Sequence, residues 1–285
     1  MSRVVFLNGS FLPLHEARVS IMDRGFLFAD GIYEGYGVLQ GRLVDKAAHL
    51  SRLEHSLAEI RLPNPYSRVQ WTDLMNELLH RNGMEEGFLY VQVTRGVADR
   101  DFFFPADAQP TTVMFTQAKT IVTAPAAEKG IAVISVPDLR WKRRDIKSIS
   151  LLAQVLAKQA ARDAGAQEAW MVEDGHVTEG GSSSAFIITR NRSIVVRPLS
   201  HAILPGITRQ SMLRLVRETG LAVEERPFTL DEAYNAAEAF LTSASNFVLP
   251  VVSIDGRQIG DGAPGPMTRR LRELYLEMAQ DPRIA

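Results

Sequence analysis

The N-terminal part of the chain alternates between short apolar runs and two segments with a helical period. Apolar side chains spaced three or four positions apart predict a helix over residues 45–60 with one buried face. A second helix is predicted over residues 69–82. Its end is placed there because Gly83 follows as a C-terminal glycine. Runs rich in Val, Leu, Phe and Tyr predict strands at residues 3–7, 26–39, 88–94 and 112–116. We therefore expect a sheet covered on one side by two helices.

Beyond residue 130 the pattern changes to short strands that alternate with helices. The dipeptide Asp174-Gly175 separates two apolar runs, 168–173 and 176–178, and predicts a tight hairpin. Further strands are predicted at residues 131–136, 185–188, 193–196 and 239–242, with another hairpin turn at Asp255-Gly256. Helices are predicted over residues 149–164, 207–219 and 266–278. The first two are expected to end there because Gly165 and Gly220 follow them.

Residues 118–130 lose this periodicity and contain Pro125, so they are the best candidate for an interdomain linker. The linker would separate a smaller N-terminal α/β domain, residues 1–117, from a larger C-terminal α/β domain, residues 131–285. The predicted fold class is α/β of the mixed α+β kind. Length agrees, because 285 residues with 46% hydrophobic composition can bury two cores of ordinary size.

Charge and composition narrow the possible partners. A net charge of −1 leaves no broad basic field for nucleic acid or for an anionic membrane. Cysteine is absent, which excludes disulfides and cysteine nucleophiles, and the six histidines form no metal-ligand spacing, so no metal is expected. No apolar stretch approaches the roughly 20 residues of a membrane span, and the first apolar run stops at Asn8-Gly9. We expect a cytoplasmic protein.

Lys147 and Glu179 are the first candidates for chemistry. Lys142, Arg143 and Arg144 precede Lys147, and nearby positive charge favours the neutral, nucleophilic amine of a lysine. Glu179 begins a Gly-Gly-Ser-Ser-Ser turn between two predicted strands. A surface lysine and an ordinary hairpin carboxylate are the alternative interpretations. Together, however, the two could serve pyridoxal phosphate: the lysine as a Schiff base, and the carboxylate by keeping the pyridine nitrogen protonated.

A phosphate site is predicted where the helix of residues 207–219 begins. The sequence Pro205-Gly206-Ile207-Thr208 leads into this helix, and a helix N-terminus presents unpaired N–H groups and partial positive charge. Arg52 could supply countercharge, and the small residues of Thr242-Ser-Ala-Ser245 could add hydroxyl groups. Each segment alone is equally consistent with an ordinary helix entry, a solvent-facing arginine or a turn of small residues.

The segments taken together resemble the fold-type IV pyridoxal-phosphate aminotransferases, and most closely the bacterial D-amino-acid aminotransferases. The resemblance runs nearly the length of the chain. It is most specific at Asp23-Arg-Gly-Phe-Leu-Phe-Ala-Asp-Gly-Ile-Tyr-Glu34, Gln92-Val-Thr-Arg-Gly96, Asp145-Ile-Lys-Ser148, Val177-Thr-Glu-Gly180 and Gly206-Ile-Thr-Arg209. It implies that Lys147 is the catalytic Schiff-base lysine and that Glu179 contacts the pyridine nitrogen. The other implied cofactor contacts are Arg52, Ser182, Leu204, Gly206, Ile207, Thr208, Ser243, Ala244 and Ser245.

The same resemblance implies a trap for the substrate carboxylate, and this sequence departs from it. Tyr33 and Arg100 match two members of the trap, but Phe102 stands where the family has a histidine. The loss of one donor is worth roughly 0.5–1.5 kcal/mol. We therefore expect weaker anchoring of small acidic substrates and a wider substrate range. Ala244 also stands where the closest relatives have a threonine.

The implied reaction is ping-pong transfer of an amino group from a D-amino acid to a 2-oxo acid. Family analogy also implies a homodimer. The alternatives within the fold are a branched-chain L-amino-acid aminotransferase, an (R)-amine transaminase and an aminodeoxychorismate lyase. A non-catalytic binding protein is disfavoured because both Lys147 and Glu179 are present.

Overall fold

The structure, a computed structural model, describes residues 3–107, 109–219 and 221–281. The chain divides into two compact units. The first unit contains the residues up to Thr120 together with Ile146–Ser150, and the second contains Ile121–Asp145 and the residues from Leu151 onward. The mixed α/β class agrees with the prediction. The division differs from the predicted domains in one important respect, because the segment that carries Lys147 packs with the first unit.

The first unit is built on a six-stranded antiparallel sheet with the order β2-β1-β6-β5-β3-β4. Its strands are β1 (Val4–Leu7), β2 (Ser10–Pro13), β3 (Gly31–Leu39), β4 (Arg42–Leu43), β5 (Glu86–Thr94) and β6 (Thr111–Ala118). Its helices are α1 (Arg24–Phe28), α2 (Lys46–Glu59) and α3 (Arg68–Arg81). Leu53, Leu57, Trp71 and Met75 on α2 and α3 are buried in the core of this unit. The predicted helices over 45–60 and 69–82 are confirmed.

The predicted strand over residues 26–39 is wrong in its first five residues, because β3 begins at Gly31. Residues 26–28 belong to α1, because Asp23 caps this short helix by accepting a hydrogen bond from the Gly25 N–H at 2.8 Å. Thr94 donates to the other carboxylate oxygen of Asp23 at 3.0 Å. The aromatic residues of this segment favour a strand, but the cap at Asp23, three residues before Phe26, decides the local structure.

The second unit contains a nine-stranded mixed sheet with the order β12-β11-β10-β13-β14-β7-β8-β9, and β15 pairs with β14. Its strands are β7 (Ile131–Pro137), β8 (Glu168–Glu173), β9 (His176–Gly180), β10 (Ser184–Ile188), β11 (Ser193–Val196), β12 (Ala222–Glu225), β13 (Glu238–Ser243), β14 (Phe247–Ile254) and β15 (Arg257–Gln258). Its helices are α4 (Pro125–Lys129), α5 (Leu152–Asp163), α6 (Ile207–Thr219), α7 (Leu230–Tyr234) and α8 (Pro266–Gln280). Val133, Trp170, Phe228 and Leu241 lie in its core.

The hairpin at Asp174-Gly175 and the helix from Ile207 are confirmed, although Gly220 lies outside the described residues. The sequence did not predict α1, β2 and β4 in the first unit, or α4, which lies inside the expected linker, β12 and α7 in the second. The predicted turn at Asp255-Gly256 implied β14 and β15 without giving their bounds. Of the helices in the described ranges, none is long and apolar enough to cross a bilayer.

The predicted start of the helix over 149–164 is wrong, because α5 begins at Leu152. Residues 146–150, which precede it, belong to the first unit. Ser148 forms an isolated antiparallel bridge with Ile32, and the Ile149 N–H donates to Gly31 O at 3.2 Å. Pairing with β3 thus removes these residues from the helix.

Candidate active site

Lys147 lies in this extended segment and is fixed by its backbone. Its carbonyl oxygen accepts from the Tyr33 N–H at 2.9 Å, and its N–H donates to Ser56 Oγ at 3.2 Å. The half-buried side chain places Nζ 4.2 Å from the centroid of the Tyr33 ring. Two backbone contacts and one ring contact therefore hold a lysine amine beside a tyrosine that the sequence assigned to substrate binding.

The basic residues that precede Lys147 do not supply the uncompensated charge that the sequence suggested. Lys142 Nζ lies 2.8 Å from Glu173 Oε1, and Arg144 pairs with Glu173 Oε2 at 2.8 Å. Arg143 Nη2 lies 2.9 Å from Asp145 Oδ2. Each of these positive charges has a carboxylate partner.

Arg52 lies beneath β3 in a buried cluster of charged residues. It binds both carboxylate oxygens of Glu34, with Nε 2.7 Å from Oε1 and Nη2 2.9 Å from Oε2. His49 Nδ1 lies 2.8 Å from the same Oε2. Burial opposes the charge of Glu34, but Arg52 and His49 outweigh it and hold the pKa of the carboxyl well below its usual range. Desolvation lowers the pKa of His49, so a neutral ring donates to a charged carboxylate.

The predicted carboxylate trap is not assembled within the first unit. Tyr33 stacks on Tyr90 with ring centroids 5.6 Å apart. Arg100 is exposed, and its guanidinium carbon lies 5.2 Å from the Phe28 ring and 5.6 Å from the Phe102 ring. In the described ranges, no hydrogen bond or ring contact joins Tyr33 to Arg100. Phe102 itself is 77% exposed.

Glu179 lies at the end of β9 in the second unit and is buried. Its Oε1 accepts from Arg140 Nη1 and from the Leu204 N–H, the latter at 3.1 Å. Burial raises the pKa of the Glu179 carboxyl, although the charge and hydrogen bond of Arg140 oppose this effect. Leu204 was expected only to pack against a ring, so its backbone contact with Glu179 is a finding of the structure.

The N-terminus of α6 presents the groups that the sequence assigned to a phosphate. Ile207 and Thr208 are buried, and the first N–H groups of a helix have no partner within it. A Cβ at Gly206 would lie 2.6 Å from Ser184 Oγ, so only glycine allows this close approach of the backbone. In the same unit, α6 packs against β13, whose end leads into the half-buried residues Ser243, Ala244 and Ser245.

Ser182 makes a contact on its own side of the turn. Its exposed side chain donates to Glu168 Oε2 at 3.3 Å, and Ser183 donates to the same oxygen at 3.2 Å. Glu168 also pairs with Lys158 at 3.2 Å. The hydroxyl of Ser182 therefore takes part in a local network around Glu168.

Four charged residues of these clusters were missed by sequence reasoning: Glu34, His49, Asp138 and Arg140. A usable indication existed for Glu34, because an acidic residue inside the buried strand β3 requires a compensating partner. For Asp138 and Arg140 the indication was weaker. They alternate just after the end of β7, and nothing nearby in sequence identifies the carboxylate that Arg140 contacts.

The second unit has the features required by an aromatic ring that carries a basic nitrogen and a phosphate. Within the described part of the chain, Oε1 of Glu179 accepts two hydrogen bonds and Oε2 accepts none. A carboxylate oxygen with spare lone pairs can accept from a protonated ring nitrogen. The α6 N-terminus offers N–H donors suited to a phosphate. The donor set therefore fits pyridoxal phosphate.

Comparison with known sequences identifies the family. Residues 31–254 match the family described as Amino-transferase class IV. The D-alanine aminotransferase of Bacillus licheniformis is 41% identical over 270 residues, which cover 94% of each chain. The enzyme of the same name from Staphylococcus haemolyticus is 39% identical over 269 residues, covering 94% of this chain and 95% of that protein.

Solved structures agree with this result. The branched-chain amino acid aminotransferase of Escherichia coli superimposes with a TM-score of 0.88 over 98% of this chain and 95% of the other, and its 22% identity supports the fold alone. The T.th. branched-chain amino acid aminotransferase, complexed with N-(5'-phosphopyridoxyl)-L-glutamate, superimposes with a TM-score of 0.87. It is 27% identical, and the superposition covers 100% of this chain and 97% of the other. The chain thus belongs to the class IV aminotransferases, a family of pyridoxal-phosphate enzymes with the type IV fold.

Proposed function

We propose that this protein is a pyridoxal-phosphate-dependent aminotransferase that moves an amino group from a D-amino acid to a 2-oxo acid. One observation supports the choice of D-amino acids above the others. The chain is 41% identical to a D-alanine aminotransferase over 94% of both chains, whereas the branched-chain enzymes of the same fold share 22% and 27%.

Lys147 would hold the aldehyde of the cofactor covalently until an amino donor displaces it. Its Nζ, once free, would act on the α-proton of the substrate as a base and would return a proton as an acid, so one residue serves both roles. When bound, the cofactor supplies an electron-poor ring that stabilises negative charge on the α-carbon. Glu179 would keep the ring nitrogen protonated. The remaining proposed cofactor contacts are Arg52, Ser182, Leu204, Gly206, Ile207, Thr208, Ser243, Ala244 and Ser245.

The substrate carboxylate is proposed to bind Tyr33 and Arg100, with Phe102 beside them. A phenylalanine cannot donate a hydrogen bond, so the anchoring of the carboxylate is weaker by roughly 0.5–1.5 kcal/mol than with a histidine. Phe102, Phe103 and Phe104 also make this loop apolar, and the first two are 77% and 82% exposed. These exposed rings favour bulky apolar donors, and they support (R)-amines that lack a carboxylate as a second class of substrate.

A homodimer in the cytoplasm completes the proposal. Phe26, Phe102 and Phe103 are exposed on the first unit, and large apolar side chains in water are usually covered by a partner. A second copy of this chain would cover them. Sedimentation of the purified protein tests this point, and a monomer at micromolar concentration would reject the dimer.

The main experiment follows the visible absorbance of the cofactor-loaded protein as D-alanine, L-alanine, D-phenylalanine or an (R)-amine is added. We expect a spectral change with the D-amino acids and none with L-alanine, and D-phenylalanine should be at least as effective as D-alanine. Borohydride reduction and peptide mapping should place the label on Lys147, with Lys147→Ala as the unlabelled control. A label on another lysine, or a response to L-alanine alone, would contradict the proposal.

A further inference from the structure

Alternating charges connect the surface of the second unit to Glu179. Glu173 binds Arg144 at 2.8 Å, and Arg144 lies 3.2 Å from Asp138. Asp138 in turn binds Arg140 at 2.7 Å, and Arg140 contacts Glu179. Arg144, Asp138, Arg140 and Glu179 are almost fully withdrawn from water. The chain of charges therefore ends at the carboxylate that is proposed to face the cofactor.

Asp138 fixes the orientation of the Arg140 guanidinium. Arg140 Nε donates to Asp138 Oδ1 at 2.9 Å and Nη2 donates to Oδ2 at 2.7 Å, which is a two-point contact between planar groups. The backbone N–H of Arg140 donates to Oδ1 at 3.1 Å, and Thr178 Oγ1 donates to Oδ2 at 2.6 Å. The carboxylate is held in turn by these contacts, so the remaining nitrogen, Nη1, points at Glu179 in one fixed direction.

This geometry makes the two oxygens of Glu179 unequal. Arg140 Nη1 and the Leu204 N–H both donate to Oε1. Among residues 3–107, 109–219 and 221–281, the hydrogen bonds to the Glu179 side chain all reach Oε1 and none reaches Oε2. A carboxylate that is held through one oxygen cannot rotate freely, and it presents the other oxygen to a ligand.

We propose that Arg140 is a positioning residue that acts through Glu179 to keep the ring nitrogen of pyridoxal phosphate protonated and to strengthen cofactor binding. This inference rests on the proposed function. It adds a role for Arg140, and for Asp138 behind it, to the assigned contact of Glu179 with the ring.

The physical reason is competition for one proton. Burial raises the pKa of the Glu179 carboxyl, and the positive charge of Arg140 opposes that increase. Arg140 is in direct contact with Glu179 and is farther from any group bound at Oε2. Its positive charge therefore disfavours a proton on the Glu179 carboxylate more strongly than it disfavours a proton on the ring nitrogen. Without Arg140, the buried carboxyl would keep the proton and would become a neutral acid that donates to a neutral ring.

The test compares Arg140→Gln, Arg140→Lys and Asp138→Asn with wild type. The control is Arg226→Gln, which removes an arginine charge from an exposed pair with Glu224 and Glu232 in the same unit. Three quantities are measured: the dissociation constant for pyridoxal phosphate, the nitrogen-15 chemical shift of the labelled ring nitrogen in the bound cofactor, and the melting temperature of the cofactor-free protein. The dissociation constant and the nitrogen-15 shift report on how Glu179 is positioned, and neither depends on catalytic turnover.

For Arg140→Gln we expect binding weaker by about ten- to hundredfold, as for the loss of one charge-assisted hydrogen bond, and a shift of the ring nitrogen toward its unprotonated value. Arg140→Lys keeps the charge but not the planar fork, so it should restore most of the protonation and only part of the affinity. Asp138→Asn keeps Arg140 charged, so the nitrogen should stay protonated while affinity falls severalfold. Arg226→Gln should match wild type.

The outcomes separate this inference from the proposed function. If wild type forms no reducible link between the cofactor and Lys147, the proposed function fails. If wild type is labelled there but Arg140→Gln binds the cofactor equally well with an unmoved nitrogen shift, Arg140 is only structural and this inference fails. Should Arg140→Gln not fold, Arg140→Lys and Asp138→Asn decide, and wild-type affinity in both would overturn the inference.

Discussion

Each unit of the molecule buries one glutamate against one arginine, yet the two pairs are built differently. In the first unit, Glu34 has Arg52 on both oxygens and His49 on one of them. In the second unit, Glu179 receives Arg140 through a single oxygen, because Arg140 also binds Asp138 in a two-point contact. The first glutamate binds its arginine through both oxygens, and the second shares its arginine with another acid.

The difference has opposite effects on the two carboxyl groups. Both are buried, which disfavours their charge. For Glu34, the contacts with Arg52 and His49 outweigh the effect of burial, and the pKa is lowered. For Glu179, the contact with Arg140 does not outweigh the effect of burial, and the pKa is raised. A glutamate whose oxygens are all occupied is suited to holding the fold together, whereas a glutamate with one open oxygen and an easily altered charge is suited to a ligand.

The largest effect is expected when the first pair is broken. In Glu34→Gln the charge of Arg52 stays buried without its counterion, which should lower the free energy of unfolding by about 3–5 kcal/mol. Denaturation of the cofactor-free protein by urea measures this. The control is Glu54→Gln, which removes a surface partner of Arg68 and should cost less than about 1 kcal/mol. Equal losses in both variants would show that the Glu34 pair does not hold the fold.

The matching change in the second pair should reduce function more than stability. Glu179→Gln leaves an amide of the same shape that cannot hold a protonated ring nitrogen by charge. Loss of a charge-assisted hydrogen bond, worth about 1.5–3 kcal/mol, should reduce kcat/KM for D-alanine by about ten- to a hundredfold. The free energy of unfolding of the cofactor-free protein should fall less than in Glu34→Gln. A drop in stability as large as that of Glu34→Gln would remove the contrast between the two pairs.

The sequence predicts one side of this contrast better than the other. The helical period over residues 45–60 places Arg52 on a helix with one buried face, and Glu34 interrupts a strand that is otherwise apolar. Local pattern therefore indicates that Glu34 is buried, whereas for Arg52 it leaves a solvent-facing position open. The hairpin at Asp174-Gly175 likewise places Glu179 at the end of a strand.

The partners could not be predicted, because they are distant in sequence and depend on how strands pair. Arg140 and Glu179 are 39 residues apart, and they meet only because β7 and β9 both pair with β8. Lys147 shows the same limit. A helix was predicted from residue 149, but hydrogen bonds from a strand more than a hundred residues earlier keep this segment extended. The spacing of apolar residues along the sequence predicts which residues are buried. It does not predict which helices and strands become neighbours.

The pH dependence of stability should differ in sign between the two glutamates. The lowered pKa of Glu34 gives stability that is present above its unfolded value of 4.5 and is lost as the pH falls below it. The raised pKa of Glu179 gives stability that is complete below 4.5 and is lost as the pH rises through the folded pKa. In the cofactor-free protein, the advantage of wild type over Glu34→Gln should therefore shrink as the pH falls below 4.5. Its advantage over Glu179→Gln should shrink as the pH rises above 4.5. Parallel pH curves for the two variants would contradict the contrast.

The smallest effect concerns the support behind the shared arginine. Thr178 Oγ1 donates to Asp138 Oδ2 at 2.6 Å, and Thr178→Val removes this donor with little change in shape. We expect the free energy of unfolding to fall by about 0.5–1.5 kcal/mol. The control Thr72→Val removes an exposed contact with a helix carbonyl and should stay within about 0.5 kcal/mol of wild type. Affinity for pyridoxal phosphate should change less than in Asp138→Asn, because Arg140 keeps both contacts with Asp138. An equal loss of affinity in Thr178→Val and Asp138→Asn would mean that the orientation of Asp138 matters more than its charge. The two glutamate–arginine pairs would then differ in geometry and not in charge.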